Sequence, residues 1–383
     1  MLNEIFIKHH QIGLRIIGAW PTCPLIMGYY FGMGISVFLM IFAVWNVVEV
    51  YDDLEVLMDN LVSSIGCVLG LCKITIFYLK HKSLTLVINT ISDDHLQNSK
   101  CEEPRSEVML QNSTRSQLIS KCIIVMYNSM NMTYVLRTLA SYVVDEVQDR
   151  KFLAQVTFPV DARQSPLYEF IFIGQVITAS ICFNSNAFIE GMLVTAVLHA
   201  SSKINLVQRE ISTFSTTYST NMNDRTLTLV ALKRLVQKHL EFVKFSQVIQ
   251  EIFSPVTFFH IFSLTLLQVT SAYLFLDGLE KGSEPIILIH NATLAMSLLV
   301  STGYYCIVGE YLTNQSEVIF NDLYNCMWYT FSNQDKKAVN FMLAKAREPV
   351  HLTVGKFSNL SLIYLTSIMK TSFSYLSVVR AAR

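Results

Sequence analysis

Seven separate stretches of this chain, 28–48, 56–79, 118–144, 167–198, 248–276, 285–308 and 356–379, are each mainly apolar over about 20 residues or more. Nothing else in the sequence limits the fold as strongly. A helix rises about 1.5 Å per residue, so each stretch is long enough to cross the roughly 30 Å of hydrocarbon in a bilayer. The composition agrees: 52% of the 383 residues are hydrophobic, only 15% are charged, and the mean hydropathy is +0.40. Soluble domains of this length carry more charge. The chain therefore reads as an all-α membrane protein with seven transmembrane helices.

Basic residues orient it, because short loops rich in Lys and Arg stay in the cytoplasm. One set of connections holds Lys8 and Arg15, a group from Lys80 to Lys121, another from Lys203 to Lys244, and Lys336, Lys337, Lys345, Arg347 and Lys356. These are twenty of the twenty-nine basic residues; the opposite set has six. The first loop of that opposite set is acidic, with Glu49, Asp52, Asp53, Glu55 and Asp59. The N-terminus is thus cytoplasmic and the C-terminus extracellular, the reverse of a G-protein-coupled receptor. There is also no Asp-Arg-Tyr closing the third span and no Asn-Pro dipeptide. Residues 1–20 lack the layout of a cleavable signal peptide and are expected to stay attached and inside.

Several features exclude other chemistry. Equal numbers of acidic and basic residues give no electrostatic argument for nucleic acid. The eight cysteines form no CxxC pair and no zinc spacing, and most lie in apolar stretches, where they serve as small core residues. No metal, cofactor or catalytic constellation is expected. Five Asn-x-Ser/Thr sequons start at Asn112, Asn131, Asn291, Asn314 and Asn359; only Asn291 nears the outer face, too close to its helix for glycan transfer. Polar and apolar residues alternate at helical spacing over 201–211 and 227–245, which predicts that the fourth and fifth spans extend beyond the bilayer. Residues 333–347 predict a short amphipathic helix closed by Pro349.

The C-terminal third holds an ordered set of motifs: His239-Leu240-Glu241-Phe242 leading to Ile252-Phe253-Ser254-Pro255, Gly309-Glu310-Tyr311-Leu312-Thr313-Asn314-Gln315-Ser316-Glu317, Leu323-Tyr324 with Met327-Trp328-Tyr329, Leu343-Ala344-Lys345-Ala346-Arg347-Glu348-Pro349, and the closing run from Lys370 to Arg380. Together with the entry segment Gly13-Leu14-Arg15-Ile16-Ile17-Gly18-Ala19-Trp20-Pro21, these resemble the motifs of insect odorant receptors. The resemblance implies a ligand-tuned subunit rather than the longer co-receptor. It further implies a tetrameric, non-selective cation channel formed with that co-receptor in the plasma membrane of olfactory neuron dendrites, opened directly by odorants. In that layout residues 1–27 are a cytoplasmic segment, 28–312 hold six spans and the outer ligand site, 313–355 form a cytoplasmic anchor, and 356–383 carry the pore helix. A gustatory-type channel and a metabotropic chemoreceptor are the alternatives.

The same resemblance puts the ligand in the outer half of the bundle. Candidate wall residues are Ser64, Cys67 and Val68, then Tyr134, Arg137 and Ser141, then Phe170, Ile173 and Ile177, and Tyr273; all of these types serve equally well as packing. They suit an apolar molecule with one or two polar atoms. In the last span Thr371, Ser374 and Val378 share one face and predict a wetted wall with a hydrophobic gate, although hydroxyls in membrane helices also bond their own backbone. Lys370, one residue from that face, is expected to turn toward a neighbouring helix or an inter-subunit crevice with an oxygen partner. Lys73 and Glu310 are expected to snorkel to the interface, Glu190 to serve structure, and Arg137 either to snorkel or to form a polar wall of the ligand pocket with a carbonyl or carboxylate partner. The orientation is testable with single cysteines introduced at Asp53 and Ser106. An impermeant thiol reagent on intact cells is expected to label Asp53→Cys; preferential labelling of Ser106→Cys would reverse the orientation.

Overall fold

The computed structural model describes residues 10–15, 18, 20, 26–49, 54–98, 105–144, 152–155, 162–220, 225–326 and 328–381. Its helices are α1 (Ile26–Glu49), α2 (Leu54–Leu79), α3 (His81–Asn98), α4 (Arg105–Val144), α5 (Leu167–Thr220), α6 (Arg225–Lys281), α7 (Pro285–Asn325), α8 (Asn333–Ala346) and α9 (Leu362–Ala381). By length and composition α2, α5, α6, α7 and α9 each suffice to cross a membrane, and residues 33–48 of α1 form a shorter apolar stretch. α4, which holds the third apolar stretch, is more polar along its length and is not among them. It buries Ile123, Tyr127, Met130, Tyr134 and Thr138, spaced three and four apart.

α5 and α6 run for 54 and 57 residues. At 1.5 Å per residue each is about 80 Å or longer, far beyond the hydrocarbon. Their inner halves meet α3, α7 and α8 in a cytoplasmic bundle whose core includes Leu84, Ile91, Val207, Phe214, Phe242, Leu323 and Val339. The extensions predicted over 201–211 and 227–245 are therefore continuous helix. α3 is an addition to the sequence reading, which places only loop between the second and third spans. It mixes polar and apolar residues too evenly to stand out, yet Asp94 anchors it to α5 by accepting from His199 Nε2 at 2.8 Å and pairing with Lys203 at 2.5 Å. Burial alone would raise the Asp94 pKa, but His199 and Lys203 outweigh it and bring it to about 2.

The last helix starts later than the sequence suggests. Residues 356–361 belong to a short antiparallel hairpin and its exit, pairing Thr353 with Asn359 and Val354 with Ser358, and α9 begins at Leu362. Gly355 and Lys356 both have positive φ, 56° and 68°, which the tight turn requires. The hairpin sits on α6 beside Pro255. Thr257 Oγ1 donates to the Thr353 carbonyl at 2.8 Å, Gly355 N–H to the Ser254 carbonyl at 3.1 Å, and Thr353 N–H to Gln250 Oε1 at 3.2 Å.

The Gly309-Glu310 pair explains itself at this point. A Cβ on Gly309 would lie 2.4 Å from Leu360 Cβ and 2.7 Å from its carbonyl oxygen, so only glycine lets the chain leading into α9 touch α7. Glu310 Oε2 accepts the N–H of Leu362 at 3.3 Å, one of the free donors at the start of α9. This role adds to the interfacial position expected for Glu310. Gly309→Ala is expected to lower stability by about 1–3 kcal/mol, as overpacking does. Gly303→Ala on the same helix, with nothing within 4 Å of its added carbon, is expected to be neutral or stabilising. Thermal melting of the purified protein in detergent distinguishes them.

Candidate ligand cavity, its floor and the last helix

A cavity of about 130 Å³ lies in the outer half of the bundle, enclosed by α1, α2, α4, α5, α6 and α7. It is close in size to cavities of about 150 Å³ that admit benzene, and smaller than sites for drug-sized molecules. Most of its wall is aliphatic, with Leu39, Met40, Val62, Met130, Leu264 and Leu294. The polar contribution comes mainly from one stripe of α5, Gln175, Thr178, Cys182 and Asn186, together with Ser64, Cys67, Tyr127, Tyr134 and His290. Gln175 holds the outer cover in place. Its Oε1 accepts from Leu153 N–H at 2.9 Å, its Nε2 donates to the Ala154 carbonyl at 2.8 Å, and Leu153 and Ala154 line the cavity.

The floor is ionic. Tyr127 donates its hydroxyl to Glu190 Oε1 at 2.7 Å, and the same oxygen lies 2.8 Å from Lys73 Nζ. Both charged side chains are completely buried. His260 Nε2 is 3.1 Å from Ser301 Oγ and 3.5 Å from the same carboxylate oxygen. Lys73 also lies over the Tyr305 ring, 5.8 Å from its centroid. The snorkel expected for Lys73 is thus overturned: its partner lies 117 positions along the chain, which no local pattern exposes. Glu190 keeps the structural role expected of it.

A family model described as 7tm Odorant receptor matches residues 53–373, most of the chain. The chain belongs to the odorant receptor family. It is 23% identical to Odorant receptor 13a of Drosophila melanogaster over 350 residues, covering 86% of this chain and 81% of that protein. A shorter match, 24% identical and covering 39% of this chain and 30% of the relative, is to the Odorant receptor coreceptor of Anopheles gambiae. The fold is similar to that of the insect olfactory receptor OR5 from Machilis hrabei in complex with eugenol, with TM-score 0.83 at 16% identity over 99% of this chain and 98% of that one. The protein is an odorant receptor, a multi-pass membrane protein and not an enzyme.

The receptor brings together only some of the wall residues read from sequence. Ser64, Cys67 and Tyr134 line the cavity. Phe170, Ile173 and Ile177 do not; they are 71%, 54% and 47% exposed on the outward face of α5, and Val68 on α2 is likewise exposed. Bulky apolar side chains are favoured against lipid, whereas the smaller and more polar face of α5 turns inward, so the correction amounts to a rotation of the helix. Tyr273 is buried beside Leu274 and borders a separate outer crevice with Asp277, Glu280 and Arg380. Arg137 stands behind the wall. It grips Asp59 with two hydrogen bonds of 2.9 and 2.6 Å and lies over the Tyr134 ring, which stacks on His290. It has a carboxylate partner but is not the cavity wall that the sequence reading offered as the alternative to a snorkel, and Asp59 belongs to α2 rather than to the loop before it. Ser141 lies in the last turn of α4, its side chain outside the described residues.

On α9 only Ile368 and Ser372 are buried. Thr371, Ser374 and Val378 are exposed, on a face turned well away from the receptor's own bundle. Thr371 Oγ1 does bond its own backbone, at 2.9 Å to the Ser367 carbonyl. Lys370 is exposed and has no ion pair or hydrogen bond among the described residues. Ser372 donates to Gln268 Oε1 at 3.1 Å, and Gln268 Nε2 donates to Thr302 at 2.7 Å, beside Ser301 of the ionic floor. The outer end of α9 is tied by Arg380 to Glu280 of α6.

Breaking the ionic floor is expected to be more harmful than removing it. Lys73→Met should destabilise the receptor by about 3–5 kcal/mol because it leaves Glu190 buried and uncompensated, whereas Lys73→Met with Glu190→Leu should recover most of that loss. Melting temperatures of the two variants check this; equal losses would contradict it.

Proposed function

We propose that this receptor is the ligand-tuned subunit of an odorant-gated, non-selective cation channel in the plasma membrane, assembled with the co-receptor subunit around a pore formed by the last helices. One observation supports the reading most directly. A mainly apolar cavity in the outer half of the bundle lies beside buried hydrogen bonds to Ser301, whose chain neighbour Thr302 is bonded through Gln268 to a last helix that keeps most of its surface free. Such a surface suits neighbouring subunits on the flanks and a water-filled path in front. Residues 28–312 serve as the receptor part, 313–355 as the cytoplasmic anchor between subunits, and 356–383 as the pore element with its entry hairpin.

In this mechanism a small volatile fills the cavity and presses on Tyr127 and the α5 stripe. Tyr127 is bonded to the Glu190 carboxylate, close to Ser301, and the adjacent Thr302 binds Gln268, which holds Ser372 of the last helix. α7 therefore carries two successive hydroxyls, one bonded to the floor of the cavity and the other linked to the gate. Moving an equilibrium from 1:99 to 99:1 needs about 5.5 kcal/mol of preference for the open form. Ligand efficiencies of about 0.3–1.5 kcal/mol per heavy atom place that within reach of a molecule of about ten atoms. Val378 supplies the hydrophobic constriction and Thr371 and Ser374 the wetted wall. Lys370 meets an oxygen partner on a neighbouring subunit.

Whole-cell recording with and without the co-receptor tests the reading. Odorant-evoked current is expected only from the pair, and in excised patches without nucleotide it should appear at once. Current that needs a soluble transducer would favour a metabotropic receptor instead. Gln268→Leu is expected to shift the odorant concentration for half-maximal current several-fold while leaving relative cation permeability unchanged. A permeability change in that variant would place Gln268 in the pore.

A further inference from the structure

Among the described residues, three of the polar residues around the cavity have no partner for their side-chain oxygens. Hydroxyls on the helices of this bundle commonly return to a carbonyl three or four residues back, as Ser185 does to Cys182, Thr195 to Gly191 and Thr138 to Tyr134. Ser64 and Thr178 do not. Both are buried, both line the cavity, and neither oxygen has a hydrogen-bond partner. Asn186, also buried and also on the cavity wall, differs from them in having a fixed polarity. Its Nδ2 donates to the Cys182 carbonyl at 2.9 Å, which can only be the amide nitrogen. Oδ1 is therefore the remaining atom. It is closed off from solvent and has no donor.

We infer that the cavity selects small, mainly apolar molecules that carry one hydrogen-bond donor, an alcohol or phenol hydroxyl, and that Asn186 Oδ1 accepts it. This rests on the reading that the cavity is the odorant site, and it names the chemical class that the site takes. The neighbouring polar groups point the same way. Gln175 uses both ends of its amide on the cover segment, and Tyr127 donates to Glu190. Ser64 and Thr178 have hydroxyls that rotate, so they tolerate either a donor or an acceptor. The asparagine oxygen can only accept. An ether, ketone or hydrocarbon of the same shape leaves it unsatisfied, and a buried unsatisfied polar group is what makes such a site reject the analogue lacking the hydroxyl.

The geometry also orients the ligand. α5 descends from outside to inside, and Asn186 lies eight residues below Thr178, about 12 Å at 1.5 Å per residue. It sits one turn above Glu190 of the ionic floor. The hydroxyl end thus goes deep, toward the floor, and the apolar remainder lies under the Leu153–Ala154 cover.

The test uses full-length receptor with its co-receptor and matched pairs of volatiles on the same carbon skeleton: straight-chain alcohols with their methyl ethers and alkanes, and phenols with the corresponding anisoles. The donor of each activating pair is expected to act at about tenfold or more lower concentration than its ether. Asn186→Leu should bring that ratio close to one, by weakening the donors while ethers still evoke current, and the retained ether response shows that the variant folds. Asn186→Ala gives the same reading with less added bulk. Thr178→Val should move both members of a pair together. A wild-type receptor activated equally by donors and ethers, or chiefly by compounds without a donor, would overturn the inference, as would a ratio unchanged in both Asn186 variants. Ser64→Leu separates this from failure of the underlying reading, because filling the cavity should suppress every response. If it alters none, the cavity is not the odorant site and both proposals fall.

Discussion

The buried pair of Lys73 and Glu190 is the interaction on which the arrangement of the spans depends. Two charges withdrawn from water cost several kcal/mol each unless they meet in good geometry with their remaining positions bonded. Here one carboxylate oxygen, 2.8 Å from the ammonium, also accepts from Tyr127, with His260 close by, while the other, Oε2, is buried with no hydrogen-bond partner among the described residues. The pair can form only when α2 and α5 lie side by side and α4 and α6 bring their rings to the same depth. It therefore acts less as a source of stability than as a demand on register: a slip of one turn in any of these helices would leave a charge alone in an apolar interior.

The cavity above inherits its position from that demand. Tyr127 is at once its floor and a donor to the carboxylate, so the shape of the cavity and the geometry of the ion pair cannot change independently. Beneath and beside it, Ser301 and Thr302 are consecutive on a rigid helix, one facing the pair and the other Gln268 and the last helix. Two short sets of hydrogen bonds thus meet at neighbouring residues of one helix. At the inner end the hairpin on α6, the glycine contact of α7 and the Glu310 cap set where the last helix begins. That helix is held at its root and at Arg380 while most of its length stays free for its neighbours.

The wall residues show why a membrane protein is read differently from a soluble one. Phe170, Ile173 and Ile177 look like lining for an apolar cavity because they are large and greasy. In lipid that property is satisfied at the surface, and the residues turned inward are Gln175, Thr178, Cys182 and Asn186 on the opposite side of the same helix. The signal is present as a polar stripe at spacings of three and four. It lacks only the decision about which face looks at lipid.

Seven apolar stretches, the loop charges that orient them, the extended fourth and fifth helices and the family motifs were legible in the sequence by itself, since apolar length, loop charge and ordered motifs are local properties of the chain. The start of the last helix, the existence of α3, the pairing of Lys73 with Glu190 and of Arg137 with Asp59, and the inward face of α5 were decided by tertiary structure alone. Each depends on a partner distant in sequence, 117 and 78 positions away for the two ion pairs. A hydrogen bond or ion pair of that separation leaves no period in a single sequence, and a helix surrounded by lipid on one side and protein on the other shows the same length and hydropathy whichever way it is turned.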